Sequence, residues 1–268
     1  MGVRKLVAGG LAGLLLLSGC GADDGTGRAS DPAGEPSTTY PSPLVTRDGA
    51  LMVTCDGETG FPVSVLPDGV PDVLTQQEAE AIFKDLLSNE EHAGELKLSF
   101  LQDGAAGTEW RVLRDGGDAY TFGLGSWTAE GPASDAYEMT VHREGGGWSW
   151  DGGGGCNLEP MLETGVWVEL TEPTGGLDRT STQPAVGVTE SLCTSGRDPR
   201  PHLLDPVVVE TDAAVTVYWT STPPTGAETC IGSPPTEITL TLAEPLGDRR
   251  LLDGSSYPPA PIPDSLVG

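Results

Sequence analysis

Four cysteines, Cys55, Cys156, Cys193 and Cys230, fall two and two on either side of a polar stretch at 172–184. In an exported chain that spacing constrains the fold. Export is read from the N-terminus, where Arg4 and Lys5 precede an apolar core from Leu6 to Leu17. A core of about a dozen residues suits a signal peptide and falls short of the roughly 20 that a membrane-spanning helix needs. Gly9, Gly10 and Gly13 weaken a stable span further. Outside the reducing cytoplasm, four such cysteines are expected to form disulfides. Three connectivities are open; pairing Cys55 with Cys156 and Cys193 with Cys230 keeps each bridge on one side of the polar stretch. Loops of about 100 and about 40 residues correspond to roughly 4 to 5 kcal/mol each in the chain-entropy picture. No Cys-x-x-Cys pair is present, which argues against a metal or thiol site.

The apolar core ends in Leu17-Ser18-Gly19-Cys20, which resembles the lipobox of bacterial lipoproteins. The resemblance implies that residues 1–19 are a signal peptide, that Cys20 becomes the acylated N-terminus, and that the partner of this lipid is the extracytoplasmic face of the cell membrane. Two or more acyl chains hold a protein stably on a bilayer. Residues 20–46 then read as the lipidated cysteine and a disordered tether, because Gly, Ser, Thr, Pro and Asp dominate and almost no large apolar residue occurs. A flexible tether of this length holds the folded part some 25 to 30 Å from the lipid. Cleavage removes Arg4 and Lys5 and no acid, leaving 12 basic against 40 acidic side chains, a formal charge of −28. A field of that sign excludes nucleic-acid binding.

The rest of the chain divides by pattern into an α+β segment at 47–171, a linker at 172–184, a β-sandwich-like segment at 185–260 and a tail at 261–268. The fold class expected is therefore α+β: a helix packed on an antiparallel sheet, followed by a small all-β sandwich-like domain. The helix opens at Thr75-Gln76-Gln77-Glu78, a capping box with Leu74 placed as a staple. Ala79, Ile82, Phe83, Leu86 and Leu87 recur at helical intervals and form the stripe that faces the sheet. Strands are expected near Leu51–Thr54, Glu109–Leu113, Ala119–Leu124, Ala136–His142 and Trp148–Trp150, with Val166–Leu170 closing the set. Gly-rich turns at Asp115–Asp118 and Gly145–Gly147 suit hairpins. Beyond the linker, Ala185–Thr189, Val207–Glu210, Val215–Thr220 and Thr236–Leu242 read as strands.

Several further stretches, Thr54-Cys55, Trp148 to Cys156, Glu190 to Arg197 and Glu244 to Arg249, together with Leu17 to Cys20, resemble a group of uncharacterised actinobacterial cell-envelope lipoproteins. The resemblance implies an exported two-part protein, and it carries over no catalytic residue.

The chemistry-bearing residues form no familiar catalytic pattern. His92, His142 and His202 lack zinc spacing, and Ser126 in Gly123-Leu124-Gly125-Ser126-Trp127 lacks the order of a nucleophile elbow. Gly152–Gly155 precedes a cysteine rather than a helix, so it reads as a flexible turn and not a phosphate loop. No catalytic residue, metal ligand or cofactor site is predicted. Trp148 and Trp150, two apart on a strand, project to one face and are the candidate ligand-binding residues, with Trp127 and Trp167 expected nearby. The reading is an exported, membrane-anchored lipoprotein that binds or scaffolds in the cell envelope, with an envelope glycan or an exported protein as partner. The alternative is an extracellular hydrolase built from scattered carboxylates, for which the sign is a pair of acids with separated pKa values in one cleft.

Overall fold

Gln76–Ser88 is helical for the reason its capping box gives. The Thr75 amide and hydroxyl both donate to Glu78 Oε2 at 2.8 Å, and the Glu78 amide donates back to Thr75 Oγ1 at 3.3 Å. Two otherwise unpaired donors at the helix start are thereby satisfied. Ala79, Ile82, Phe83 and Leu86 are buried as one stripe. They meet Val112, Phe122, Leu124, Met139 and Val141 in a single apolar cluster, with Phe83 edge-on to Phe122 at a centroid distance of 5.0 Å. The computed structural model describes residues 40–88, 109–226, 229–231 and 234–262. The signal segment, Cys20, Glu91-His92 and most of the tether and tail lie outside the described residues.

The sheet under the helix is antiparallel, in the order Trp110–Asp115, Ala119–Leu124, Tyr137–Glu144, Gly147–Gly155. Leu113 is an extra residue between the paired Val112 and Arg114, a β-bulge. Because successive residues of a strand face opposite sides, the neighbours Val112 and Leu113 serve two cores. Val112 belongs to the helix-side cluster. Leu113 belongs to a second cluster with Leu51, Val53, Phe61 and Trp127, which Trp167, Tyr218 and Tyr257 join. A small sheet of Thr46–Arg47, Ala50–Thr54, Gly60–Pro62 and Glu159–Pro160 borders that second cluster.

The expected α+β class is corrected by this arrangement. The helix covers its sheet, yet Gln76–Ser88 is the one α-helix among the described residues, against eighteen strands. The protein is mainly β. The frequent glycines and prolines, 38 and 23 in the chain, disfavour long helical runs.

Val166–Thr171, expected to close the first sheet, instead pairs with Ala185–Glu190 and Thr220–Ser221, and Thr236–Thr239 completes that sheet. Alternating apolar residues identify a strand but not its neighbour. A further sheet runs Val207–Glu210, Ala214–Tyr218, Arg250–Asp253, Ala260–Pro261, with the central pair parallel. Val168, Leu170, Val186 and Val188 of the one sheet pack with Val215, Val217 and Leu251 of the other. Buried Asp253 ties them: its carboxylate accepts the Leu170 amide at 2.8 Å and the Ser255 amide at 2.9 Å.

The disulfides are Cys55–Cys156 and Cys193–Cys230. Beside the second, buried Glu190 takes both a two-pronged ion pair from Arg197 and the Ser221 hydroxyl.

Candidate functional site

Gly152–Gly155 is a strand, not the flexible turn its composition suggests. Its backbone pairs with Tyr137–Thr140, which requires no side chain. Asp151 is an extra residue in the register, since Trp150 faces Val141 and Gly152 already faces Thr140. After this bulge, Gly152 lies opposite Thr140 and Gly154 opposite Glu138. Cross-strand partners share a face, so these two glycines lie on the face that carries Thr140 and Glu138.

That face floors a groove of about 540 Å³. Its opposite wall is the loop Cys55–Thr59 between the strands Ala50–Thr54 and Gly60–Pro62. Asp56 builds the loop: its Oδ1 accepts the Thr54 hydroxyl at 2.7 Å, the Glu58 amide at 2.8 Å and the Thr59 amide at 2.7 Å. The Cys55–Cys156 disulfide then fastens the residue before Asp56 to the residue after Gly155. One covalent bond holds both walls.

Glu138 is 5 % exposed and lines this groove. Its Oε1 accepts the Thr140 hydroxyl at 2.9 Å, and Thr140 in turn contacts the Thr121 hydroxyl at 3.2 Å. Oε2 has no hydrogen-bond donor among the described residues. Burial, reinforced by the charge of Asp56 and only partly offset by the Thr140 hydroxyl, pushes the Glu138 carboxyl up to about 7. Asp56 moves the other way. Partial burial raises it, but the Thr54 hydroxyl and the Thr59 and Glu58 amides outweigh that and hold it below the ordinary range. Glu58 and Asp151 complete the acidic lining. Beyond the groove mouth, His142 Nδ1 lies 2.7 Å from Asp151 Oδ1.

The glycines are the unusual part. Gly152–Gly155 all have ordinary negative or extended φ, so none is required by a left-handed backbone. A Cβ on Gly153 would collide with the Glu138 carbonyl oxygen, which explains that one. A Cβ on Gly152, Gly154 or Gly155 would meet nothing within 4 Å. Glycine weakens a strand, and at these three positions neither packing nor backbone conformation demands it.

Trp148 and Trp150 do share one face, the one turned to the helix, and both are half-buried against its cluster. The Trp148 ring lies 5.4 Å from Tyr120 and under the Arg143 guanidinium at 4.6 Å, while its amide donates to Asp85 Oδ2 at 2.7 Å. Trp127 and Trp167 are not beside them: both are buried in the second cluster, donating to the carbonyls of Leu124 and Pro160. Ser126 is exposed and reaches Asp135 at 3.4 Å. His202 approaches the Thr222 hydroxyl at 3.5 Å. Among the described residues no three His, Cys, Asp or Glu side chains are grouped to hold a metal ion.

Fold and site together define a mainly β, disulfide-bonded protein with an acidic, glycine-floored groove. Compared with protein-family models, curated proteins and solved structures, the chain matches none.

Proposed function

We propose that this chain is an exported lipoprotein, anchored through Cys20 to the extracytoplasmic face of the cell membrane, that binds a component or partner of the cell envelope in the groove at Glu138. The observation that carries the binding half is the pairing of a buried carboxyl, one oxygen of which lacks a donor, with a groove floor from which side chains are missing at Gly152 and Gly154. Glu138 lines the groove, and a ligand that enters over the cleared floor can donate to its Oε2. The anchor is supported by Leu17-Ser18-Gly19-Cys20 and by the polar stretch that follows.

Metabolic labelling with a radioactive fatty acid, followed by membrane fractionation, tests the anchor. Wild type is expected to carry label and sediment with membranes. Cys20→Ala is expected to lose both, and a labelled, sedimenting Cys20→Ala protein would overturn it. Crosslinking of the full-length protein in intact cells tests binding: capture of an envelope partner that Glu138→Gln diminishes supports the reading, and undiminished capture refutes the groove.

A hydrolase is the second reading, favoured by the opposite displacement of Asp56 and Glu138 in one groove. It ranks below binding because three hydrogen bonds to Asp56 Oδ1 already account for its lowered pKa as the keystone of its loop. Turnover on a panel of ester, peptide and glycoside substrates, abolished by Glu138→Gln, would promote it.

A further inference from the structure

Glycines at two alternate positions of a strand clear a path one side-chain repeat long, and that path has a direction. Gly147–Gly155 is the outer strand of its sheet. At its start the outer edge is occupied, because Asp85 of the helix accepts the Trp148 amide. Past the bulge at Asp151 the backbone of Gly152–Gly155 makes no hydrogen bonds among the described residues except those to its partner strand. Exposed edges are normally protected by charged side chains, prolines or a covering element. Among the described residues no element covers the edge along the glycine run, where another backbone can approach closely.

The groove beside this edge has one sign of charge. Asp56, Glu58 and Asp151 line it with Glu138, and no basic side chain among the described residues does. The neighbouring His142 is already within 2.7 Å of Asp151.

We infer that the groove takes an extended basic peptide segment of a partner protein, laid along Gly152–Gly155, with a lysine or arginine side chain directed at Glu138. The inference rests on the binding reading above and names the ligand of that site. Main-chain hydrogen bonds to the open edge supply affinity without regard to sequence, and the side chain entering the groove supplies selectivity. Lysine and arginine carry only donors, which suits a groove lined by the carboxyl groups of Asp56, Glu58, Glu138 and Asp151. An ordinary strand would place side chains at 152 and 154 in the way of such a chain.

The test uses the full-length protein in detergent micelles and three labelled hexapeptides, read by fluorescence anisotropy at low ionic strength. One alternates Thr and Lys, the second alternates Thr and Glu, and the third is the Thr-Lys peptide with alternate amides N-methylated. An oligomer of glucosamine is the fourth probe, a cation without a peptide backbone. Saturable binding of the Thr-Lys peptide is expected, at least about tenfold tighter than the Thr-Glu or N-methylated forms, which is about 1.4 kcal/mol. Gly154→Val is expected to weaken it by a similar factor while leaving the melting temperature unchanged or raised, because a Cβ there meets nothing within 4 Å and valine suits a strand. Equal binding of Lys and Glu peptides, indifference to N-methylation, or full affinity in Gly154→Val overturns the inference. Tighter binding of the glucosamine oligomer overturns the peptide assignment in favour of a cationic glycan. A protein that captures an envelope partner in cells in a Glu138-dependent way but ignores all three peptides refutes this inference alone; loss of that capture result refutes the binding reading itself.

Discussion

Replacing Glu138 by glutamine changes one proton and almost no volume, so its effect on stability isolates the electrostatics of the groove. In the fold this carboxyl keeps its proton up to about pH 7, whereas its ordinary value is 4.5. Between those values the folded chain binds more protons than the unfolded one, so stability falls as pH rises through the window and is flat outside it. The gap corresponds to about 3 kcal/mol at about 1.4 kcal/mol per pH unit. Water in the groove screens part of that, leaving about 2 kcal/mol. For a folded part of about 200 residues this is about 4 to 8 °C in melting temperature. The amide introduced by Glu138→Gln cannot ionise, and its oxygen can still accept the Thr140 hydroxyl. The quantity to measure is the melting temperature of Glu138→Gln minus that of wild type, by calorimetry at intervals from pH 5 to pH 8. Glu159, Glu169 and Asp253 are also raised, each chiefly by burial, but they are common to both proteins and cancel in the difference. About three quarters of that falls between pH 5 and pH 8, so the difference should grow by about 3 to 6 °C over the range. A difference independent of pH would show that the carboxyl is ionised and well solvated in the fold, and would refute its displacement toward neutral pH.

Two further perturbations follow from the same structure. Arg197→Met leaves Glu190, whose side chain is 2 % exposed, without its cation; the expected loss is about 3 to 5 kcal/mol in urea unfolding, and the double change with Glu190→Gln should recover most of it. Removing Cys55–Cys156 by a double Ala substitution should cost about 4 to 5 kcal/mol and abolish binding of the Thr-Lys peptide, whereas removing Cys193–Cys230 should cost a comparable amount and leave that binding intact.

How much of this was legible in the chain depends on whether the information is local. The capping box at Thr75 and Glu78 sets out its own hydrogen bonds, and the stripe from Ala79 to Leu86 states which face is buried. Pairing is not local. Val166–Thr171 alternates as any half-buried strand does, and nothing within it says that its partners lie at Ala185–Glu190 and Thr220–Ser221. Gly152–Gly155 has no side chains to alternate, so a strand held wholly by its neighbour's backbone reads as a turn.

The groove was hidden for a related reason, since among 40 acids no pair stands out. One signal did point to it. Cys55 is followed by Asp56, and Cys156 is preceded by the glycine run, so the disulfide that joins the two cysteines necessarily brings a carboxylate loop against four residues without side chains. Read as a statement about its neighbours and not only about loop entropy, that pairing places the wall and the floor of the groove. Glu138 follows once the antiparallel register of Tyr137–Glu144 with Gly147–Gly155 is known, because the residue opposite Gly154 must face the same way. The covalent bond that stabilises the chain is thus also the element that assembles its site.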